Sequence, residues 1–309
     1  MKKLLLCACA LLFSATACAA DLQQQLEAMT HDFHGHVAIF AKNLKTGATV
    51  AIDADEPVQT ASVIKLALML ETFAQAKDGK VKLDDPLPLL KDNQVGGSGV
   101  LTFLHPGLNA TVEDNVVLMI DLSDNTATNQ LIDKVGLEGV NRRLASMGLK
   151  NTYFYKKVFK PATGPQPSDQ KKFGLGKTTA REMAQLVESI ERCDLGAPDL
   201  CKRMIEIMKH QFYRDSIPRF IETADTSEEQ AAIANKSGAL DDVRNDVGIV
   251  YAKSAPIVIS TFTWDNADHR WTPENEPELL IAHLAKTIVE AWSPRGVSGE
   301  AQKNSAPKK

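Results

Sequence analysis

The sequence predicts an α/β (α+β) fold of two lobes. One is a five-stranded antiparallel sheet covered by N- and C-terminal helices, the other is all-helical, and an active site is expected in the cleft between them. Three observations point there. Strand signals occur near the two ends of the chain, the middle reads as helix, and an apolar content of 44% can fill one large core or two joined ones. The expected organisation is a signal peptide over 1–20, a catalytic domain over 21–292 and a disordered tail over 293–309. The sheet lobe takes about 21–61 and 212–292, and the helical lobe about 62–211.

Each part has its own signal. Lys2 and Lys3, an apolar run from Leu4 to Phe13 and the small residues Ala17-Cys18-Ala19-Ala20 form a secretory leader. That run is too short to span a bilayer, and no later stretch reaches the roughly 18 apolar residues needed, so no transmembrane segment is expected. The predicted location is the periplasm or the medium. Thr16-Ala17-Cys18 also allows a lipoprotein acylated on Cys18, but Ala15 stands where a leucine is usual. Without the leader, which holds two lysines and no acid, the formal charge becomes −6 instead of −4. An acidic chain is a poor partner for nucleic acid.

Leu22, Leu26 and Met29 follow helical spacing. His36 to Leu44 and Ala48 to Ile52 then read as a hairpin around Thr46-Gly47. From Ser62 to about Gln211 helical signals dominate, with capping patterns at Thr111/Asp114 and Thr179/Glu182. Strand signals return at Ala231 to Asn235, Val247 to Ala252 and Ile257 to Trp264, ahead of a helix from Pro277 to Trp292. The last residues, rich in Ser, Pro, Lys and Gly, give the tail. Only Cys193 and Cys201 lie beyond the leader. Their spacing is wider than a Cys-x-x-Cys metal or redox pair, and an oxidising compartment favours a structural disulfide between them.

Three short motifs bear on chemistry. Ser-x-x-Lys occurs at Ser62/Lys65, Ser168/Lys171 and Ser305/Lys308. The last lies in the tail and the second in a Pro- and Lys-rich loop. Ser62 instead opens a helix in which every position from Val63 to Leu70 but Lys65 is apolar. Residues i and i+3 share a helix face, and a desolvated lysine favours its neutral form, which suits a base for the serine. An N-cap serine and a lysine snorkelling past apolar neighbours would leave the same trace. Ser123-Asp124-Asn125 sits between two helices, where turn and cap duty also explain it. Lys236-Ser237-Gly238 ends the strand begun at Ala231, and a second match, Lys45-Thr46-Gly47, reads as hairpin turn.

Taken in order, these motifs resemble the signature of class A β-lactamases and penicillin-binding proteins. The resemblance runs from about Leu22 to Trp292 and includes Gly97-Ser98-Gly99-Val100-Leu101 and Val243-Arg244-Asn245-Asp246-Val247-Gly248. It implies a serine hydrolase that acts on a β-lactam or a peptidoglycan stem peptide, as a monomer and without cofactor or metal. Ser62 would be the acylated nucleophile and Lys65 its base. Ser123 would pass the proton to the leaving nitrogen, and Asn125 would hold Lys65 and the substrate amide. Lys236, Ser237, Gly238 and Ala239 would form the substrate-binding strand. The oxyanion would lie between the N–H groups of Ser62 and Ala239.

One departure stands out. Class A enzymes use a loop glutamate to activate the deacylating water, whereas Asn151 to Lys177 holds six lysines, one acid, Asp169, and no glutamate. Glu138 falls too early, and Glu182 reads as a capping residue. Lys65, Asp169, Tyr153 or Tyr155 are the alternative bases, though the Pro-Ser-Asp-Gln context of Asp169 reads as solvated loop. Three outcomes stay open: β-lactam turnover, D,D-peptidase action, or a module that is acylated and stays so. A zinc hydrolase based on His31, His34 and His36 is the rival from another class, but no further ligand signal follows downstream. Surface histidines leading into a strand account for that cluster better.

Overall fold

The computed structural model describes residues 21–221 and 232–297. The expected leader over 1–20, with Cys18, position 231 at the start of a predicted strand, and residues 298–309 of the expected tail lie outside the described residues.

Helix α1 covers residues 21–30. The hairpin β1 (His36–Asn43) and β2 (Thr49–Ile52) turns where Asn43 Oδ1 accepts the N–H groups of Lys45 and Thr46 and Gly47 takes φ 74°, so Lys45-Thr46-Gly47 is turn chemistry. A short β3 (Val58–Gln59) leads to a 3-10 turn at Ala61–Ile64 and then to α2 (Lys65–Lys77). Next come the small pair β4 (Pro86–Pro88) and β5 (Asn109–Thr111), then α3 (Val112–Asp121), α4 (Asn125–Val135) and α5 (Leu137–Ser146). After β6 (Tyr153–Phe154), α6 (Gln170–Phe173) and β7 (Gly176–Thr178), the lobe ends with α7 (Ala180–Glu191) and α8 (Pro198–Lys209). The chain closes with β8 (Ile233–Leu240), β9 (Val243–Tyr251), β10 (Pro256–Trp264) and α9 (Glu276–Trp292).

The five long strands form one antiparallel sheet in the order β2-β1-β10-β9-β8, with His36 opposite Trp264 and Ser237 opposite Asp246. Both faces are covered, as alternating side chains require. Ile39, Ile257 and Ile259 pack on Leu22 and Leu26 of α1 and Ile281, Leu284 and Ile288 of α9. Phe40, Val247 and Phe262 face the second lobe and its helix α2, which is buried all round from Lys65 to Ala74. The capping box at Thr111 and Asp114 forms reciprocally, and the disulfide Cys193–Cys201 ties the end of α7 to α8.

Several local expectations are corrected. Ser62 does not open an α-helix; it sits in the 3-10 turn before α2, because φ of 43° at Ala61 bends the chain sharply there. The second lobe also contains the β4–β5 pair and a small β3-β7-β6 sheet, which is joined by backbone bonds too short in sequence to show a period. Lys236-Ser237-Gly238 lies within β8 and does not end it, since pairing continues to Leu240 opposite Val243. Residues 293–297, assigned to the tail, are docked: Ser293 and Val297 are buried, Val297 bridges Ala252, and the Gly296 carbonyl accepts from Lys253 N–H. Thr179 does cap Glu182 N–H, but the Glu182 carboxylate accepts from Asn151 and Thr152, binding the turn before β6 as well as serving the helix end.

Candidate active site

Strand β8 is the sheet edge that meets the turn holding Ser62. The approach demands glycine at 238, where a Cβ would stand 2.9 Å from Ser62 N and 2.9 Å from the Thr60 carbonyl oxygen. Ser62, Ser123, Ser237, Gly238 and Ala239 thereby line one cavity of about 560 Å³. A second cavity of about 510 Å³, among α2, α5 and α7, has the ion-paired Arg143 and Arg192 on its wall and no serine–lysine pair.

Lys65, one turn into the protein from Ser62, has no exposure. Its Nζ donates to the Ser123 carbonyl at 2.7 Å and to Asn125 Oδ1 at 2.9 Å, and lies 3.2 Å from Ser123 Oγ. Burial holds its amine well below the usual lysine range; Lys236 pushes the same way and Asp124 opposes. A neutral amine keeps two donors for the carbonyl and the amide oxygen. Its lone pair is then free to take a proton from a hydroxyl.

The turn that presents Ser123 is fixed from several sides. Ser123 adopts φ 54°, a strained conformation for a residue with a side chain. Asp124 caps α4 through Ala127 N–H and also accepts from the N–H groups of Val100 and Leu101. Asn125 accepts nothing from those groups but binds Ser98 and Gly96 carbonyls through its own N–H and Nδ2. The wall Gly97–Ser98 is thus part of the same unit as the lysine pocket. At Gly99 a Cβ would fall 2.3 Å from the Asp124 carboxyl, so this junction needs a bare backbone.

Lys236 is also without exposure and donates to the Ser237 carbonyl at 2.8 Å. Burial lowers its amine to about 7, while Asp246 and Asp121 act to raise it. Beneath, burial raises Asp246 to about 6, against hydrogen bonds from Asn235 and Ile217 N–H. The sequence-predicted residues Ser62, Lys65, Ser123, Asn125, Lys236, Ser237, Gly238 and Ala239 are therefore all gathered at this one place.

The loop from Asn151 to Lys177 is less generous. Its Val158 is pinned to α4 by both backbone groups, to Asn129 Oδ1 at 2.8 Å and from Asn129 Nδ2 at 3.2 Å. Phe159 follows with φ 53°, its exposed ring against Gly97. Asp169 is not the solvated residue expected. It accepts from the Tyr155 hydroxyl at 2.8 Å and from Lys177 Nζ at 2.5 Å, and Lys177 holds its carboxyl below the usual range. Tyr155 is buried, and its hydroxyl is pushed far above the ordinary phenol value by that burial and by Asp169. The three histidines go separate ways: His31 to Asp32, His34 to Glu276, and His36 onto the ring of Trp264. No group of three metal-ligating side chains occurs among the described residues.

The far end of the cavity was not assigned from sequence. Tyr213, Asp215, Arg244, Trp271 and Glu278 line it. Arg244 lies in a segment noted for its resemblance alone; pairing with Ala239 across the β8–β9 hairpin is what brings it here, and the Asp241-Asp242 turn was the available signal. Trp271 and Glu278 arrive from the other end of the chain and had none.

Known proteins agree with this architecture. A carbapenem-hydrolysing β-lactamase, KPC, of Klebsiella oxytoca is 25% identical over 297 residues, covering 93% of this chain and 94% of that one. A β-lactamase of Rhodobacter capsulatus is 23% identical over 281 residues, covering 89% and 91%. The crystal structure of a β-lactamase from Sphaerobacter thermophilus superposes with TM-score 0.75 at 28% identity, over 89% of this chain and 96% of that one. The fold is shared with PBP-A, at TM-score 0.73 and 24% identity over 88% and 95%. Residues 21–292, from the first helix to the last, match the pattern of the β-lactamase enzyme family, and the chain belongs to that family.

Proposed function

We propose that this chain is an exported serine hydrolase that opens β-lactam amides through an ester on Ser62. The observation that carries the reading is Lys65, desolvated and held between Ser123 and Asn125 beside the cavity that Ser62 lines. Neutral Lys65 takes the Ser62 proton as Oγ attacks the lactam carbonyl. The N–H groups of Ser62 and Ala239 receive the oxyanion. The ring C–N bond then breaks, and the proton passes from Lys65 through the Ser123 hydroxyl to the leaving nitrogen. Lys236 and Ser237 hold the substrate carboxylate, and the N–H and C=O of Asn125's side chain orient Lys65 and the substrate amide. The leader sequence is the basis for the export, and the KPC relative, named for carbapenem hydrolysis, supports the substrate class.

The loop favours slow release of the acyl group. Val158 offers no carboxylate, and Asp169 is engaged by Tyr155 and Lys177. General-base help is typically worth about 10² to 10⁴ in rate. A penicillin should therefore give a burst of roughly one equivalent followed by a slow phase, with the adduct on Ser62 seen by intact-protein mass. Ser62→Ala should abolish the adduct. Labelling that persists or moves to Ser168, or fast turnover without an adduct, would overturn the respective half of this reading. The same chemistry on a peptidoglycan stem peptide is the second reading, favoured by the same shortage of a water-activating base.

A further inference from the structure

The end of the cavity near Ser62, backed by the buried Lys65 and Lys236, is balanced differently from its far end. There Arg244 is 2% exposed; its two terminal nitrogens are hydrogen-bonded, and its buried Nε has no hydrogen-bond partner. Nη1 serves the carbonyls of Leu240 and Val243, and Nη2 serves that of Arg270 at 2.9 Å. Nε lies 3.4 Å from Glu278 Oε1, and the indole of Trp271 covers the guanidinium at 4.3 Å. The positive charge is thus matched by Glu278 before any substrate arrives. Asp215 stands exposed on the same wall, and the rings of Tyr213 and Trp271, 45% and 65% exposed, complete it. Of the charged side chains that line this end, Asp215 and Glu278 are acids and Arg244 is a base, with Arg219 behind the wall at the Pro273 carbonyl, and the apolar surface is aromatic. An aromatic face beside a carboxylate attracts organic cations.

We infer that Glu278 determines specificity in this cavity. By matching Arg244, and with Asp215 beside it, Glu278 makes the end beyond Ser237 select acyl donors that carry a cation next to their carboxylate over neutral ones. The inference rests on the cavity being where the acyl donor binds. Burial, the largest influence, and Asp215 raise the Glu278 carboxyl above the usual range, while Arg244 and, more weakly, Arg219 oppose them. An ammonium or pyridinium group arriving between Glu278, Asp215 and the two rings would relieve the same imbalance.

The test uses binding, so that it does not depend on acylation. In a Ser62→Ala chain, dissociation constants are measured by calorimetry for two cephalosporins with the same side chain and carboxylate, one 3-pyridiniomethyl and the other 3-acetoxymethyl. The cationic compound should bind more tightly, by about three- to tenfold for one cation on aromatic and carboxylate neighbours at a part-exposed site. Glu278→Gln should remove most of that preference, and Glu278→Asp should keep part of it. Asp215→Asn, at an exposed position away from Arg244, should reduce the preference by a smaller factor and guards against a folding defect in the Glu278 variants. A preference that is absent in the parent or equal in all variants overturns the assignment, as does failure of both compounds to bind. Failure of the Ser62 ester is read separately, by the penicillin adduct on the unaltered serine.

Discussion

Around Lys65, the polar groups have been given partners that aim them: the amine meets two oxygens and a hydroxyl, Asp124 holds three N–H groups, and glycine stands where two backbones touch. Along the loop from Tyr155 to Lys177, the charged and phenolic groups are paired as well, but with each other. Tyr155, Asp169 and Lys177 satisfy one another, and the residue pinned to α4 is a valine. Full pairing preorganises chemistry only where a reacting atom is one of the partners left to be served. The first region leaves a lone pair on Lys65; the second leaves nothing for a water molecule.

The contrast is broken most severely by removing the base. Lys65→Arg keeps a cation among the same acceptors but gives up the neutral amine, so acylation by penicillin should fall by about 10² to 10⁴. Rapid-quench mass spectrometry measures the rate; a variant that acylates within tenfold of the parent would show that Lys65 is a positioning cation only. The opposite region is sharpened by giving it a carboxylate. Val158→Glu should leave the burst in place and shorten the life of the adduct by about 10². An adduct whose lifetime is unchanged in a folded variant would mean that this point of the loop does not reach the ester.

The smallest effect expected is in pH dependence. Lys236 carries its charge below about 7 and loses it above. Its attraction for a substrate carboxylate is therefore present on the acid side and lost as pH rises through that value. Lys65 runs the other way, becoming competent as pH rises through its depressed value. The second-order labelling constant should accordingly fall by up to about tenfold per unit above pH 7, and less steeply once saturating substrate supplies Lys236 with a counter-charge. A profile that is flat from pH 7 to 9 would remove Lys236 from carboxylate binding.

Much of this was legible in the chain itself. The sheet was legible from short, β-branched apolar runs, which are near-continuous because its central strands are buried on both faces, and the motif order placed Ser62, Lys65, Ser123, Asn125 and Lys236 together. What escaped was set by contacts distant in sequence. The strained Ala61, which makes the Ser62 turn, looks like any alanine before a helix. Asp169 in a Pro-Ser-Asp-Gln context reads as solvated until Tyr155 and Lys177 are folded onto it. Arg244, Trp271 and Glu278 meet only after the last hairpin and the last helix have packed.

The central sheet has a consequence for how the molecule comes into being. β1 pairs with β10, His36 opposite Trp264, so the first strand waits for a partner more than two hundred residues away. At about 5 to 20 residues per second of synthesis, that wait is roughly 10 to 40 seconds. Until then the opening hairpin has only its own two strands, which are marginal alone in water. A chain that ends before Pro256 cannot close this sheet, and contacts this distant place the protein among slow folders. Refolding from denaturant should be limited by the meeting of the two chain ends.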